Sequence, residues 1–295
     1  MSMLKRLFAN FLQRKGRLQA APPSPGTRPV PAPNPGPPLK PYFALFNKMY
    51  KEAPFDDPVK RERLVDSLRA TGAALQPNQP GSHAYLADDM LVWFRTLGFL
   101  ADANFVDACL PYADDALIRA RIWRVYTLCW AARSCLELPG AFIDVGCYDA
   151  KTVEIIMRYV DFDSTRQTYY LYDLFDDPPA ESRKALHGPQ LFDQVRARMQ
   201  PMGRVHVIPG MVPATFATAM PKRIAFAQID LNDAQAELAC LEPVVNRMVP
   251  GALLVLDDYG FVRYRESHLR EKEFFESISQ GVLELPTGQG LFLKR

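Results

Sequence analysis

Phe142-Ile143-Asp144-Val145-Gly146-Cys147-Tyr148-Asp149-Ala150-Lys151-Thr152 is the stretch on which the reading of this chain turns. An apolar run over 141–145 ends in a glycine, and an amphipathic stretch over 150–159 follows. Apart from Asp144 the run is apolar rather than alternating, which suits a strand buried on both faces. Gly146 permits a tight turn and the close approach of a ligand, and the next helix directs its amide-rich N-terminus at the same space. This is how a strand–helix unit of an open α/β sheet begins. Only one glycine of a G-x-G-x-x-G pattern is present, and Ala150 carries a β-carbon, so a loop that cradles a pyrophosphate is disfavoured.

Downstream the same alternation repeats. Apolar runs at 168–172, 205–208, 224–229, 252–256, 282–285 and 290–294 are interleaved with helical stretches at 191–199, 234–248 and 265–279. The order predicts an α/β fold, a Rossmann-like, doubly wound, mostly parallel sheet with a late antiparallel strand, preceded by a helical region. Ligands of such sheets bind outside the carboxyl ends of the strands, near the switch in strand order. The second strand ends at Asp173, suited to accept both hydroxyls of a ribose. The third ends at Gly210-Met211, a flexible apolar wall. The fourth and fifth end at Asp230 and Asp257-Asp258. Three carboxylates on one edge repel one another unless a cation or a proton intervenes, and hard oxygen donors favour magnesium or calcium. Each aspartate alone could be a helix cap, which accounts for the cluster less well.

Upstream, residues 42–137 read as helical. Asp57-Pro58 opens a helix that Gly72 closes, and a second is predicted near 88–100. A single long helix is predicted from Asp114 or Asp115, with Ile118, Ile122, Val125, Cys129, Ala132 and Leu136 on one apolar face. Trp93, Trp123 and Trp130 read as packing residues. Residues 20–41 are dense in proline and read as an extended linker. Residues 1–19 set Leu4, Leu7, Phe8, Phe11 and Leu12 among Lys5, Arg6, Arg14, Lys15 and Arg17. That pattern suits a basic amphipathic helix on a membrane surface or a partner, a targeting segment, or a marginal helix that frays.

Composition narrows the function classes. With 48% hydrophobic and 23% charged residues, the 295-residue chain can bury a core, and a net charge of +2 gives no footprint for nucleic acid. The five cysteines form no C-x-x-C pair and the four histidines no ligand-spaced motif. Both facts point to a reducing, cytoplasmic setting without structural zinc. No apolar run reaches the length of a membrane span.

Taken in order, several stretches resemble one family: Trp123-Arg124 with Cys129-Trp130, F-I-D-V-G-C-Y-D-A-K-T, Y-L-Y-D-L-F, I-D-L-N-D-A-Q-A-E-L, P-G-A-L-L-V-L-D-D-Y-G and L-P-T-G-Q-G-L-F-L-K. They look like the macrocin-type (TylF/MycF-like) sugar O-methyltransferases, a branch of the class I S-adenosylmethionine-dependent enzymes. The resemblance covers roughly residues 85–295 and makes 138–295 the S-adenosyl-L-methionine-binding domain. This cofactor has no pyrophosphate, so the single glycine is no obstacle. The resemblance implies a cofactor site lined by Asp144, Gly146, Tyr148, Thr152, Asp173, Gly210 and Met211. It also implies a magnesium ion (Mg2+) on Asp230, Asp257 and Asp258. The reaction would be direct methyl transfer to a hydroxyl of a sugar, glycan or glycosylated small molecule. Asp230 would accept the proton, and Gln289 would reach the acceptor from the late hairpin. Residues 42–137, with a neighbouring subunit of a homo-oligomer, would cover the pocket. Two positions depart from the pattern: Ala150 replaces a frequent glycine, and Asn232 stands where many relatives carry an acid. The alternatives are a nicotinamide-dependent dehydrogenase, disfavoured by the missing glycines, and a non-catalytic adaptor docked through its basic helix, disfavoured by the intact carboxylate cluster.

Overall fold

The computed structural model describes residues 85–92, 95–175 and 190–295. The expected helices at 1–19 and 57–72, the proline linker and Trp93 lie outside them. The described chain opens with a hairpin of β1 (Tyr85–Ala87) and β2 (Met90–Val92), where a helix over 88–100 was expected. The turn residues Asp88 and Asp89 both have φ 53°. This is the backbone of a tight hairpin turn, and aspartate tolerates it better than most residues. Of the expected helix only a short 3-10 turn at Gly98–Ala101 remains.

Three helices follow: α1 (Ala103–Cys109), α2 (Ala116–Ala120) and α3 (Ile122–Ser134). The single long helix expected from Asp115 is thus divided, because Arg121 leaves helical geometry at φ −127°, ψ 27°. A break exposes new backbone donors, and they must be met. Asp115 caps α2 through the N–H groups of Leu117 and Ile118. The Asp88 carboxylate reaches over from the hairpin to accept from Trp123 N (3.0 Å) and Arg124 N (2.9 Å) of α3. Tyr85 also donates its hydroxyl to Asp88. Trp123 packs between the rings of Tyr85 and Phe99, at 5.4 and 4.9 Å. Trp130 is 46% exposed, contrary to the packing role expected of it.

The main sheet has seven strands. β3 (Ala141–Val145), β4 (Tyr169–Asp173), β5 (Val205–Pro209), β6 (Ile224–Ile229) and β7 (Met248–Leu256) run parallel, and β8 (Leu283–Glu284) and β9 (Gly290–Leu293) close it antiparallel. Their order across the sheet is β5-β4-β3-β6-β7-β9-β8, so the direction of winding switches between β3 and β6. The helices of this half are α4 (Lys151–Tyr159), α5 (Leu191–Met199), α6 (Phe216–Ala219), α7 (Ala234–Val245) and α8 (Arg265–Ser277). Successive strand residues face opposite sides. Phe142, Tyr169, Leu171 and Phe226 bury against α1, α3, α4 and α5. Ile143, Val145, Tyr172 and Ile229 bury against α6, α7 and α8. Both faces are covered, which is why the strands lack alternation.

Asp88 links hairpin and helix, so its loss should be felt in both. Asp88→Ala removes the cap of α3 and strands a buried tyrosine hydroxyl, and should cost about 2–4 kcal/mol in urea unfolding. Asp88→Asn keeps one acceptor oxygen and should cost less. An alanine variant within about 0.5 kcal/mol of wild type would show that the hairpin does not support the helix.

Candidate active site

Strand register brings the expected site residues into one row. Val145 pairs with Tyr172 and with Ile229, Ile229 with Leu256, and Asp173 with Pro209. Gly146, Asp173, Gly210, Asp230 and Asp257 therefore stand side by side at the carboxyl edge, around the switch in winding. Gly146 adopts φ 97°, and a β-carbon there would lie 2.0 Å from the Asp230 carbonyl oxygen. Backbone packed that closely cannot give way, so the position requires glycine. The Asp173 carboxylate accepts from Tyr148 N (2.7 Å) and Phe175 N (3.1 Å), tying the loop after β3 to the end of β4.

Tyr148 and Ala150 both sit in the left-handed region, at φ 48° and 55°. Ala150 thus reaches a conformation that glycine adopts freely, at a cost of about 1–2 kcal/mol, with its methyl fully buried. Thr152 lies in the first turn of α4. Met211 is 59% exposed beside Gly210, whose N–H donates to the Asp173 carbonyl (2.9 Å). Asp144 is buried below the row, and its Oδ1 has no partner. Burial first, then Asp173 and Asp257, push its carboxyl well above the usual range.

The argument that three carboxylates need a counter-charge holds, but the charge comes from the chain itself. Arg124 of α3 donates through Nη2 to the Asp257 carboxylate, to Asp258 Oδ1 (3.0 Å) and to the Asp257 carbonyl (3.1 Å). Its guanidinium lies over the Phe261 ring, 5.0 Å from the centroid. Burial opposes the charge on Arg124, yet Asp257, Asp258 and Asp230 raise its pKa above the ordinary arginine value.

The expected magnesium site is therefore not assembled. Among the described residues no three acidic, histidine or cysteine side chains gather so as to hold a metal. The physical reason is that a planar guanidinium, with donors matched to carboxylate geometry, occupies the space between Asp257 and Asp258. Asp230 is held separately: its Oδ1 accepts from Asn232 Nδ2 (2.8 Å), and Tyr264 donates its hydroxyl to Asn232. Asn232, where an acid was the commoner expectation, thus serves as a donor. Burial first, then Asp257 and Asp258, push the Asp230 carboxyl well above the usual range, with Arg124 and Arg121 opposing.

Gln289 also takes a different part from the one expected. It is fully buried, donating Nε2 to Asp257 Oδ1 (3.0 Å) and accepting from Thr287 Oγ1 (3.1 Å). It holds Asp257 in place and does not reach outward to an acceptor. Its neighbour Gly288, at φ 84°, packs so tightly on Phe261 that a β-carbon would lie 2.3 Å from the ring. Arg124, Asp88 and Tyr264 are the site residues to which sequence reasoning gave no role. The signal for Arg124 was present, since the repulsion argument called for a cation and this residue lies within a recognised motif.

No family model and no curated protein matches the chain. Among solved structures, the O-methyltransferase NovP superposes with a TM-score of 0.50 at 16% identity, over 60% of this chain and 81% of that one. Cofactor-bound Rv0187 from MTB is similar at TM-score 0.49 and 16% identity, over 68% and 93%. The calicheamicin methyltransferase CalS11 is similar at 0.49 and 13% identity, over 81% and 93%. The chain has the Rossmann-like methyltransferase fold. At these identities the likeness to NovP speaks to fold alone.

Within this methyltransferase fold the raised carboxyl of Asp230 has a thermodynamic signature. Its folded-state pKa lies above the ordinary 3.8, so the native state keeps a proton that the unfolded chain releases as pH rises past about 4. Stability from this group is therefore lost as pH climbs from the ordinary value through the raised one. Asp230→Asn should be more stable than wild type at neutral pH. The difference should close toward pH 4. Urea midpoints between pH 4.5 and 8 measure this, and a variant less stable than wild type at pH 8 would refute it.

Proposed function

We propose that this chain is an S-adenosylmethionine-dependent O-methyltransferase of the macrocin type, acting on a hydroxyl of a sugar or glycosylated small molecule. The observation that carries this reading is the row at the carboxyl edge. Gly146 and Asp173 lie on one side of the winding switch, and the half-buried Asp230, its carboxyl raised above the usual range, lies on the other. The resemblance of the ordered motifs supports the sugar acceptor, and NovP, whose fold the chain shares, is an O-methyltransferase.

The residues present fit the cofactor. Asp173 takes one backbone N–H on each carboxylate oxygen and retains lone pairs for ribose hydroxyls. First-turn amides of α4, with Thr152, suit a carboxylate. Asp144, with one oxygen partnerless, leaves an acceptor that suits an ammonium donor, and exposed Met211 suits an adenine face. When bound, S-adenosylmethionine supplies a methyl group activated by its sulfonium.

The chain's own residues do the rest. Asp230 accepts the proton of the acceptor hydroxyl; its raised pKa brings it nearer to neutral, where a general base works best. Asn232 and Tyr264 orient it, while Arg124 neutralises Asp257 and Asp258 beside it. Proximity within the pocket accounts for most of the acceleration. The magnesium assistance implied by the resemblance finds no donor set here, and proton transfer is assigned without it.

The same reading makes the protein cytoplasmic, with a homo-oligomeric neighbour helping to cover the acceptor and residues 1–19 touching a membrane surface or partner. All five cysteines are free thiols, in keeping with a reducing compartment. No described helix is long and apolar enough to cross a membrane.

S-adenosylhomocysteine should raise the melting temperature, and Asp173→Ala should weaken its binding about tenfold or more. In a mass-resolved screen of glycosylated acceptors, wild type should add a methyl group, and Asp230→Asn should lower kcat about 10²–10⁴-fold. Tight binding of a nicotinamide dinucleotide with none of S-adenosylhomocysteine would overturn the assignment.

A further inference from the structure

Arg124 is the cationic side chain seated directly on the Asp257 and Asp258 carboxylates at the sheet edge, and it comes from α3, outside the sheet. Every contact around it fixes it there. Its backbone N–H is capped by Asp88 (2.9 Å), and its carbonyl accepts from Gln289 Nε2 (3.4 Å). Its guanidinium rests on Phe261, which is in turn wedged by Gly288. The residue is only 6% exposed.

At least one oxygen of each carboxylate at this edge is already engaged. Asp257 Oδ2 and Asp258 Oδ1 accept from Arg124, Asp257 Oδ1 from Gln289, and Asp230 Oδ1 from Asn232. Magnesium binds oxygen at about 2.0–2.1 Å in a near-octahedral shell. The Arg124 guanidinium, seated on both Asp257 and Asp258, puts a positive charge where that shell would have to form. For a cation to enter, the guanidinium would have to leave an aromatic face and two carboxylates together.

We propose that Arg124 is a built-in counter-ion that takes the place of a divalent cation at the Asp230–Asp257–Asp258 edge, and that removing its guanidinium uncovers a latent divalent-cation site. Arg124 is a positioning residue: it holds Asp257 and Asp258 and leaves Asp230 uncommitted to either a cation or an ion pair. The catalytic consequence rests on the proposed methyl transfer, whereas the exchange of guanidinium for metal does not. The two therefore fail separately.

The full-length protein is the right test object, with Mg2+ and Mn2+ as probes and KCl of matched ionic strength as control. Wild type should show no cation-specific shift in melting temperature and no saturable heat on calorimetric titration. Arg124→Gln, which removes the charge and shortens the side chain but keeps a polar amide, should melt lower than wild type. It should then recover by about 5–10 °C at a cation concentration near 100 times its dissociation constant. A purely structural role for Arg124 would lower the melting temperature without creating that recovery. The recovery should vanish in Arg124→Gln combined with Asp257→Asn, which removes one of the exposed charges. Arg124→Gln that folds but ignores both cations overturns the proposal. If Arg124→Gln does not fold, wild-type titration decides alone. One-to-one Mn2+ binding that Asp258→Asn abolishes overturns the proposal, and no binding upholds it.

Discussion

The buried contact between the Arg124 guanidinium and the carboxylates of Asp257 and Asp258 joins parts of the chain that nothing local would bring together. Taking two charges out of water costs several kcal/mol per ion, so such a pair adds little net stability. Removing one partner, however, leaves an uncompensated buried charge and costs about 3–5 kcal/mol. The contact therefore works as a constraint. It fixes α3 against the end of β7, and Gln289 extends the constraint to the loop before β9. The β1–β2 hairpin belongs to the same chain of dependence, because Asp88 caps α3 at Arg124 itself.

Around this anchor the backbone is under strain in the loops at the carboxyl edge of the sheet. Tyr148, Ala150, Phe175 and Asn232 are all non-glycine residues at φ between 48° and 59°, and they fall in the loops after β3, β4 and β6. Such conformations cost about 1–3 kcal/mol each and persist only where the surroundings over-determine them. Here the surroundings are visible: Asp173 holds Tyr148 and Phe175 by their N–H groups, and Glu237 accepts from Asn232 N (3.0 Å). Asp230 is likewise kept by the folded state in a setting unfavourable to its charge.

Much of this was legible in the sequence because it is local. The runs at 141–145 and 224–229 and the helix at 191–199 appear with the expected bounds, since strands covered on both faces are mostly apolar, Asp144 and Gln228 excepted. The row of strand ends followed from that, as each strand delivers its last residue to the same edge. What was not legible depends on partners distant in sequence. The hairpin at Asp88-Asp89 and the break at Arg121 are decided by one carboxylate serving a helix cap 35 and 36 residues away. No periodicity encodes that contact. The counter-charge was deduced correctly as a need and assigned to magnesium, because repulsion among aspartates says that a cation must come but not which one.

The central claim is that a guanidinium, and not a metal, balances the carboxylate edge of this methyltransferase fold. Anomalous X-ray scattering from crystals of the full-length protein, grown with S-adenosylhomocysteine and soaked in Mn2+, addresses it directly. The expected result is Arg124 lying between Asp257 and Asp258, with no anomalous peak at the edge. A manganese peak coordinated by Asp230, Asp257 and Asp258, with Arg124 turned away, would contradict it.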